Sequence, residues 1–147
     1  MHNFLETLDT NQSLPIKVVV SSITGNGIPE VSVIVNQQTL FSGPLEDTVT
    51  LTTNVSLLDS IELSVTMQGK KYSANQETAV TVDSFTVDNV ELIPTHQLHV
   101  DYQNDQGQNV KSHYLGFNGI WSFCIDEPFY NWLHRATWQG WILQPTP

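Results

Sequence analysis

Apolar residues recur at every second position through much of this chain, and that spacing restricts what it can fold into. Ile16, Val18 and Val20 alternate with Lys17, Val19 and Ser21, and Val31, Val33 and Val35 alternate with Ser32, Ile34 and Asn36. Val49 and Leu51 sit among Thr48, Thr50 and Thr52, and Ile61, Leu63, Val65 and Met67 alternate with Glu62, Ser64, Thr66 and Gln68. Val80 and Val82 follow, then the stretch Val87–Ile93. A period of two sends one face of a strand into a core and the other into water. Turn-forming residues punctuate the runs at Gly25–Gly27, Asn36–Gln38, Gly43-Pro44, Leu58–Ser60 and Gly69-Lys70. Short strands separated in this way predict a mostly β chain, a jelly-roll-like antiparallel β-sandwich spanning residues 15–94.

The flanks differ in character. Residues 1–14 read as a polar N-terminal arm with an apolar patch at Phe4, Leu5 and Leu8. Residues 95–147 read as an aromatic-rich extension that packs on the sandwich, with Pro94 as the seam. All 4 tryptophans fall in this extension, at Trp121, Trp132, Trp138 and Trp141. The run PFYNWLHRATWQGWIL predicts a short helix with Pro128 at its first turn and Gly140 at its end, followed by an edge strand over 141–143. Within that helix Phe129, Trp132 and Leu133 share one face, and Trp121 and Phe123 alternate with Ser122 and Cys124. Most of these aromatics are therefore expected in the core. The density of tryptophan nevertheless makes Trp121, Trp132, Trp138 and Trp141 candidates for a ligand or interface contact, because aromatics combine large area with few rotatable bonds.

Composition narrows the partners. With 15 acidic against 5 basic residues and a net charge of -10, the surface repels phosphate backbones, so nucleic acid is excluded as a partner. No apolar run approaches the length that crosses a bilayer, and residues 1–15 lack the basic and apolar regions of a signal peptide, so neither membrane nor secretion is expected. The 1 cysteine, Cys124, permits no internal disulfide, and its apolar neighbours suggest a buried, inert thiol. His96, His99, Asp101 and His113 match no recognised metal-ligand spacing. Gly-rich phosphate loops, nucleophile elbows and HExxH helices are missing, so the chain is not expected to be an enzyme.

Two stretches carry a family resemblance. SSITGNGIPEVSVIVNQQTL and VDSFTVDNVEL resemble the opening turn and the closing acidic strand of calcium-dependent xylan-binding β-sandwich modules, which occur in hydrolases and in tailed-phage virion proteins. The family's Asp-Arg-Asn-Leu run is absent. The resemblance implies calcium as the cofactor, held by Asp83 and Asp88 with Glu77, and a glycan stacking on Tyr72 or a tail tryptophan. The C-terminal segment also resembles tails of tailed-phage virion proteins. The leading expectation is therefore a structural virion protein, as capsid decoration, baseplate or tail-fibre component. It would be made in the host cytoplasm, reside in the virion, and contact other virion proteins or copies of itself. The alternative is a carbohydrate-binding module for adhesion to glycans, dependent on calcium.

Overall fold

A computed structural model describes residues 13–25, 27–69, 77–93, 96 and 99–143, with side chains in the last helix described as far as residue 136. The arm expected over residues 1–14 lies outside these residues except at its end. There Leu14 is already a core residue of the first strand, 2% exposed.

Eleven strands and one helix are described: β1 (Ser13–Thr24), β2 (Glu30–Val35), β3 (Gln38–Pro44), β4 (Val49–Ser56), β5 (Ile61–Gln68), β6 (Thr78–Val87), β7 (Val90–Glu91), β8 (Val100–Asn104), β9 (Asn109–Val110), β10 (Tyr114–Leu115), β11 (Gly119–Ile125) and α1 (Phe129–Leu143). The first sheet has the order β10-β6-β1-β4, with β7 on β6; the second has the order β3-β2-β5-β11-β8-β9. All pairings are antiparallel. The predicted mostly β sandwich is the observed fold.

Alternation explains the layering. Along β1, Leu14, Ile16, Val18 and Val20 are buried; along β5, Ile61, Leu63, Val65 and Met67 are buried. These inward rows meet in one apolar core that also takes in Phe85, Trp121, Phe123, Phe129 and Trp132. Phe85 of the first sheet meets Phe123 of the second edge to face, with ring centroids 5.2 Å apart. Such contacts add to the area term that drives the two sheets together.

Three expectations need correction. The sandwich does not end at Pro94: β11 lies between β5 and β8, and β10 joins the first sheet. Strands β8 to β11, within residues 95–147, therefore build both sheets rather than pack on them. The stretch between the turn at Asn36–Gln37 and Pro44 is strand β3, which pairs with β2. Finally, the residues expected as an edge strand at 141–143 continue α1, which runs through Gly140 to Leu143. A lone glycine in a helix costs only about 1 kcal/mol and need not end it.

One close approach fixes β11 against β8. At Gly119 an added Cβ would lie 2.4 Å from the Gln103 carbonyl oxygen and 2.7 Å from the Asn104 Cα. Backbone must move to admit it. Gly119→Ala is expected to destabilise the fold by about 1–3 kcal/mol, read as a lower urea midpoint with an unchanged m-value.

Candidate functional site

The three carboxylates expected to hold calcium do not converge. Asp83 lies within β6, Asp88 in the turn beyond it, and Glu77 just before it. At about 3.3 Å per residue, Asp83 is roughly 16 Å from Asp88 and roughly 20 Å from Glu77 along the strand. Calcium ligands sit about 2.3–2.6 Å from the ion, so these residues cannot share one. Each carboxylate is also otherwise engaged. Asp83 falls where the β1–β6 register shifts, between Val19 and Val20, and accepts hydrogen bonds from Ser21 Oγ and, at 2.8 Å, from Thr81 Oγ1. Asp88 accepts the Tyr130 hydroxyl. Glu77 is hydrogen-bonded to Tyr114, whose hydroxyl pKa rises through burial and then through that carboxylate. Among the described residues no group of three or more His, Cys, Asp or Glu could hold a metal ion. The donor set therefore does not fit calcium.

The aromatic candidates divide between core and undescribed positions. Trp121 is fully buried and Trp132 is 2% exposed, so neither presents a surface to a ligand. Trp121 alternates inward with Phe123 and Ile125, and its indole Nε1 donates to the Ser112 carbonyl at 2.8 Å. Trp132 packs edge to face against both His96 and His99, with ring centroids 5.2 and 5.0 Å away, and against Phe123 at 5.9 Å. Burial lowers the pKa of both histidines. For His96 the neighbouring His99 adds to this; for His99 the cations Arg135 and Lys111 add to it against Asp126. The α1 seat therefore disfavours protonated imidazoles. Tyr72 and the side chains of Trp138 and Trp141 lie outside the described residues. Cys124 is exposed rather than buried, because the same alternation that turns Phe123 inward turns it outward. Partial burial and then the Glu62, Asp101 and Asp126 carboxylates raise its thiol pKa, which disfavours the thiolate.

The solvent face of the second sheet supplies what these positions lack. Its outward residues form cross-strand rows: Ile34, Ser64, Ser122 and Asp101 in one, and Ser32, Thr66, Ile120, Gln103 and Asn109 in the next. Two open depressions lie along β2 and β5. The larger, about 570 Å³, is lined by Ile34, Asn36, Gln37, Asp59, Glu62 and their serine neighbours. The smaller, about 270 Å³, lies toward Glu30, Ser42 and Gln68. Asn36 shapes the first. Its Oδ1 accepts from the Glu62 amide at 2.7 Å, its Nδ2 donates to the Ser60 carbonyl at 2.9 Å, and its own amide donates to the Glu62 carbonyl at 3.0 Å. These bonds tie the β2–β3 turn to the start of β5. Asn36 and Gln37 both take positive φ, 47° and 68°, as a two-residue hairpin turn of matching twist requires. Gln37 thereby stands at the rim beside Glu62.

Carboxylates, amides and hydroxyls on a rigid sheet, with Ile34 and the 52%-exposed Ile120 among them, can hydrogen-bond a hydroxyl-rich ligand and cover its apolar edges. Sequence reasoning placed these polar residues in water and read no further. Their signal was the outward half of the alternation that located the core.

The Tyr130–Asp88 contact is directly testable. Tyr130 is held largely by its hydrogen bond to Asp88, then by burial and the carboxylate's charge, and its pKa is pushed up to about 12. A hydroxyl with a raised folded-state pKa stabilises fully below the unfolded value near 10 and loses that contribution as pH rises toward 12. An ultraviolet titration should show Tyr130 among the late-ionising tyrosines, and Asp88→Ala should return it toward its ordinary range.

No protein-family model matches the chain, and no curated protein matches it. Two solved structures are similar to the chain. One, described as vCBM60 in complex with galactobiose, is 21% identical, with a TM-score of 0.48, covering 74% of this chain and 96% of its own. The other is the selenomethionine form of vCBM60, from work on circular permutation as a link between two families of calcium-dependent carbohydrate-binding modules. It is 19% identical, with a TM-score of 0.50, covering 75% of this chain and 89% of its own. The likeness is one of fold, and the resemblance read from the two sequence stretches holds at that level: this chain has the β-sandwich fold of a carbohydrate-binding module.

Proposed function

We propose that this protein is a non-catalytic carbohydrate-binding module that takes a neutral glycan chain along β2 and β5. The observation that carries the reading is the pair of depressions on the solvent face of the second sheet, lined by amide, carboxylate and hydroxyl groups. The shared fold supports the same reading. Carboxylates and amides suit vicinal sugar hydroxyls because each can engage two of them with good geometry. An acidic surface is no obstacle to an uncharged ligand, whereas it opposes anionic ones. Recognition here runs through side chains of the sheet and needs no ion held by Asp83, Asp88 or Glu77. The virion role rests on the N-terminal arm, outside the described residues, and on the resemblance of the segment that carries β10, β11 and α1; no observation among the described residues favours it.

Calorimetric titration against a panel of neutral polysaccharides, each with calcium and with chelator, tests this. At least one should give saturable heat. Glu62→Ala should weaken that binding about tenfold or more, the loss of a hydrogen bond to a charged group. Gln37→Gly removes the rim amide while suiting the left-handed backbone, and should weaken binding with little change in stability. Asp83→Ala and Asp88→Ala should leave affinity unchanged. Silence across the whole panel in both conditions would remove the proposal.

A further inference from the structure

Edge strands usually carry devices that stop them from pairing with another chain, such as charge, proline, bulges or shortness. Most edges here have one. In β3 the pairing with β2 shifts at Val33/Ile34, which leaves Leu40 as an extra residue, and the strand ends in Pro44. The strands β7, β9 and β10 have 2 residues each. The exception among the described residues is β4, at the end of the first sheet. It is 8 residues long, VTLTTNVS, with neither charge nor proline, and its register with β1 is unbroken from Ser56 to Val49.

The flank around β4 is unusual for so acidic a chain. Between residues 36 and 58 the only charged side chains are Glu46 and Asp47, although the net charge of the whole is -10. Leu40, Phe41, Val49 and Leu51, from the two edge strands on this side, remain only partly buried against the core. Two copies repel one another over most of their surfaces, and this flank is where that repulsion is least.

We infer that β4 is a self-association strand, pairing antiparallel with β4 of a second copy about a two-fold axis through Thr52. A two-fold perpendicular to the sheet keeps equivalent residues on one face, so the register must match like with like. Thr52 then opposes Thr52, Thr50 opposes Asn54, Leu51 opposes Thr53, and Val49 opposes Val55. The exposed residues Thr50, Thr52 and Asn54 form a hydroxyl and amide ladder outside. The half-buried Val49 and Leu51 gain cover inside. Such cross-strand pairs are the stabilising unit of a sheet, and an isologous contact closes at two copies.

Sedimentation of the full chain across a concentration series tests the inference. A reversible monomer–dimer equilibrium is expected, tightening with salt as the repulsion is screened. Thr52→Glu places the new carboxylate beside Lys17, its partner on β1, so the monomer should keep its unfolding midpoint. Across the two-fold it faces its own copy, which should weaken the dimer by more than about tenfold. Asn109→Glu, on the opposite edge of the other sheet, should leave the dimer intact. Thr52→Cys in a Cys124→Ser background should give a covalent dimer on oxidation. A chain that stays monomeric throughout, a dimer indifferent to Thr52→Glu, or failure of Thr52→Cys to crosslink would overturn the proposal.

Discussion

The contact on which the rest of the molecule depends is the stack of rings centred on Phe123. On one side it meets Phe85 from the other sheet; on another it meets Trp132 from α1. Phe123 can do this only because β11 is inserted between β5 and β8, so the last strand in the sequence is interior to its sheet. The sandwich is closed by long-range pairing and not by neighbouring hairpins. Removing β11 and α1 would expose the inner edges of both β5 and β8 and strip the core of Trp121, Phe123, Phe129 and Trp132.

That arrangement explains why Trp121 and Trp132 serve architecture and why the proposed recognition falls elsewhere. A sheet face is held rigid by its ladder, so polar groups placed on it need little ordering when a ligand arrives. Asn36 illustrates the economy of the site. Its three hydrogen bonds satisfy backbone groups of the neighbouring turn and at the same time fix the wall beside Glu62. The carboxylates of β6 are consumed differently, each closing a local hydrogen bond on the outside of the first sheet or at its ends. Acidity in this chain is therefore not one feature with one purpose.

Much of the core could be read from the sequence because period two is a local property: each of Ile16, Val18 and Val20 reports its own burial. Where reading failed, the cause was a local break or a distant partner. The bulge at Leu40 sets Leu40 and Phe41 side by side, which erased the alternation that would have revealed β3. Apolar chain neighbours made Cys124 look buried, when the pleat sends it to the opposite face from Phe123. The seam at Pro94 was drawn on composition, whereas β11 belongs with β5, from which it is separated in sequence by the whole of β6 through β10. The larger depression escaped because its lining comes from β2, a hairpin turn, the β4–β5 connection and the polar half of β5, brought together only by folding. Asp83 and Asp88 looked like a pair because a sequence interval does not show that a strand holds its residues apart.

The two proposed surfaces, the polar face of the second sheet and the neutral flank, use different residues yet are geometrically linked. In an antiparallel pair of β4 strands the two-fold axis is perpendicular to the sheets, so the second sheet of each copy faces the same way. Both solvent faces, with Glu62 and Gln37 on each, would then meet one polymeric surface together. A repeating polysaccharide offers the same epitope many times, and the second contact becomes intramolecular once the first is made. Shallow, open depressions bury little of any one sugar and give modest affinity singly. Pairing of copies is the means by which a fold with such sites can hold a polymer without deepening the groove, and it asks nothing of the core that the alternation has already built.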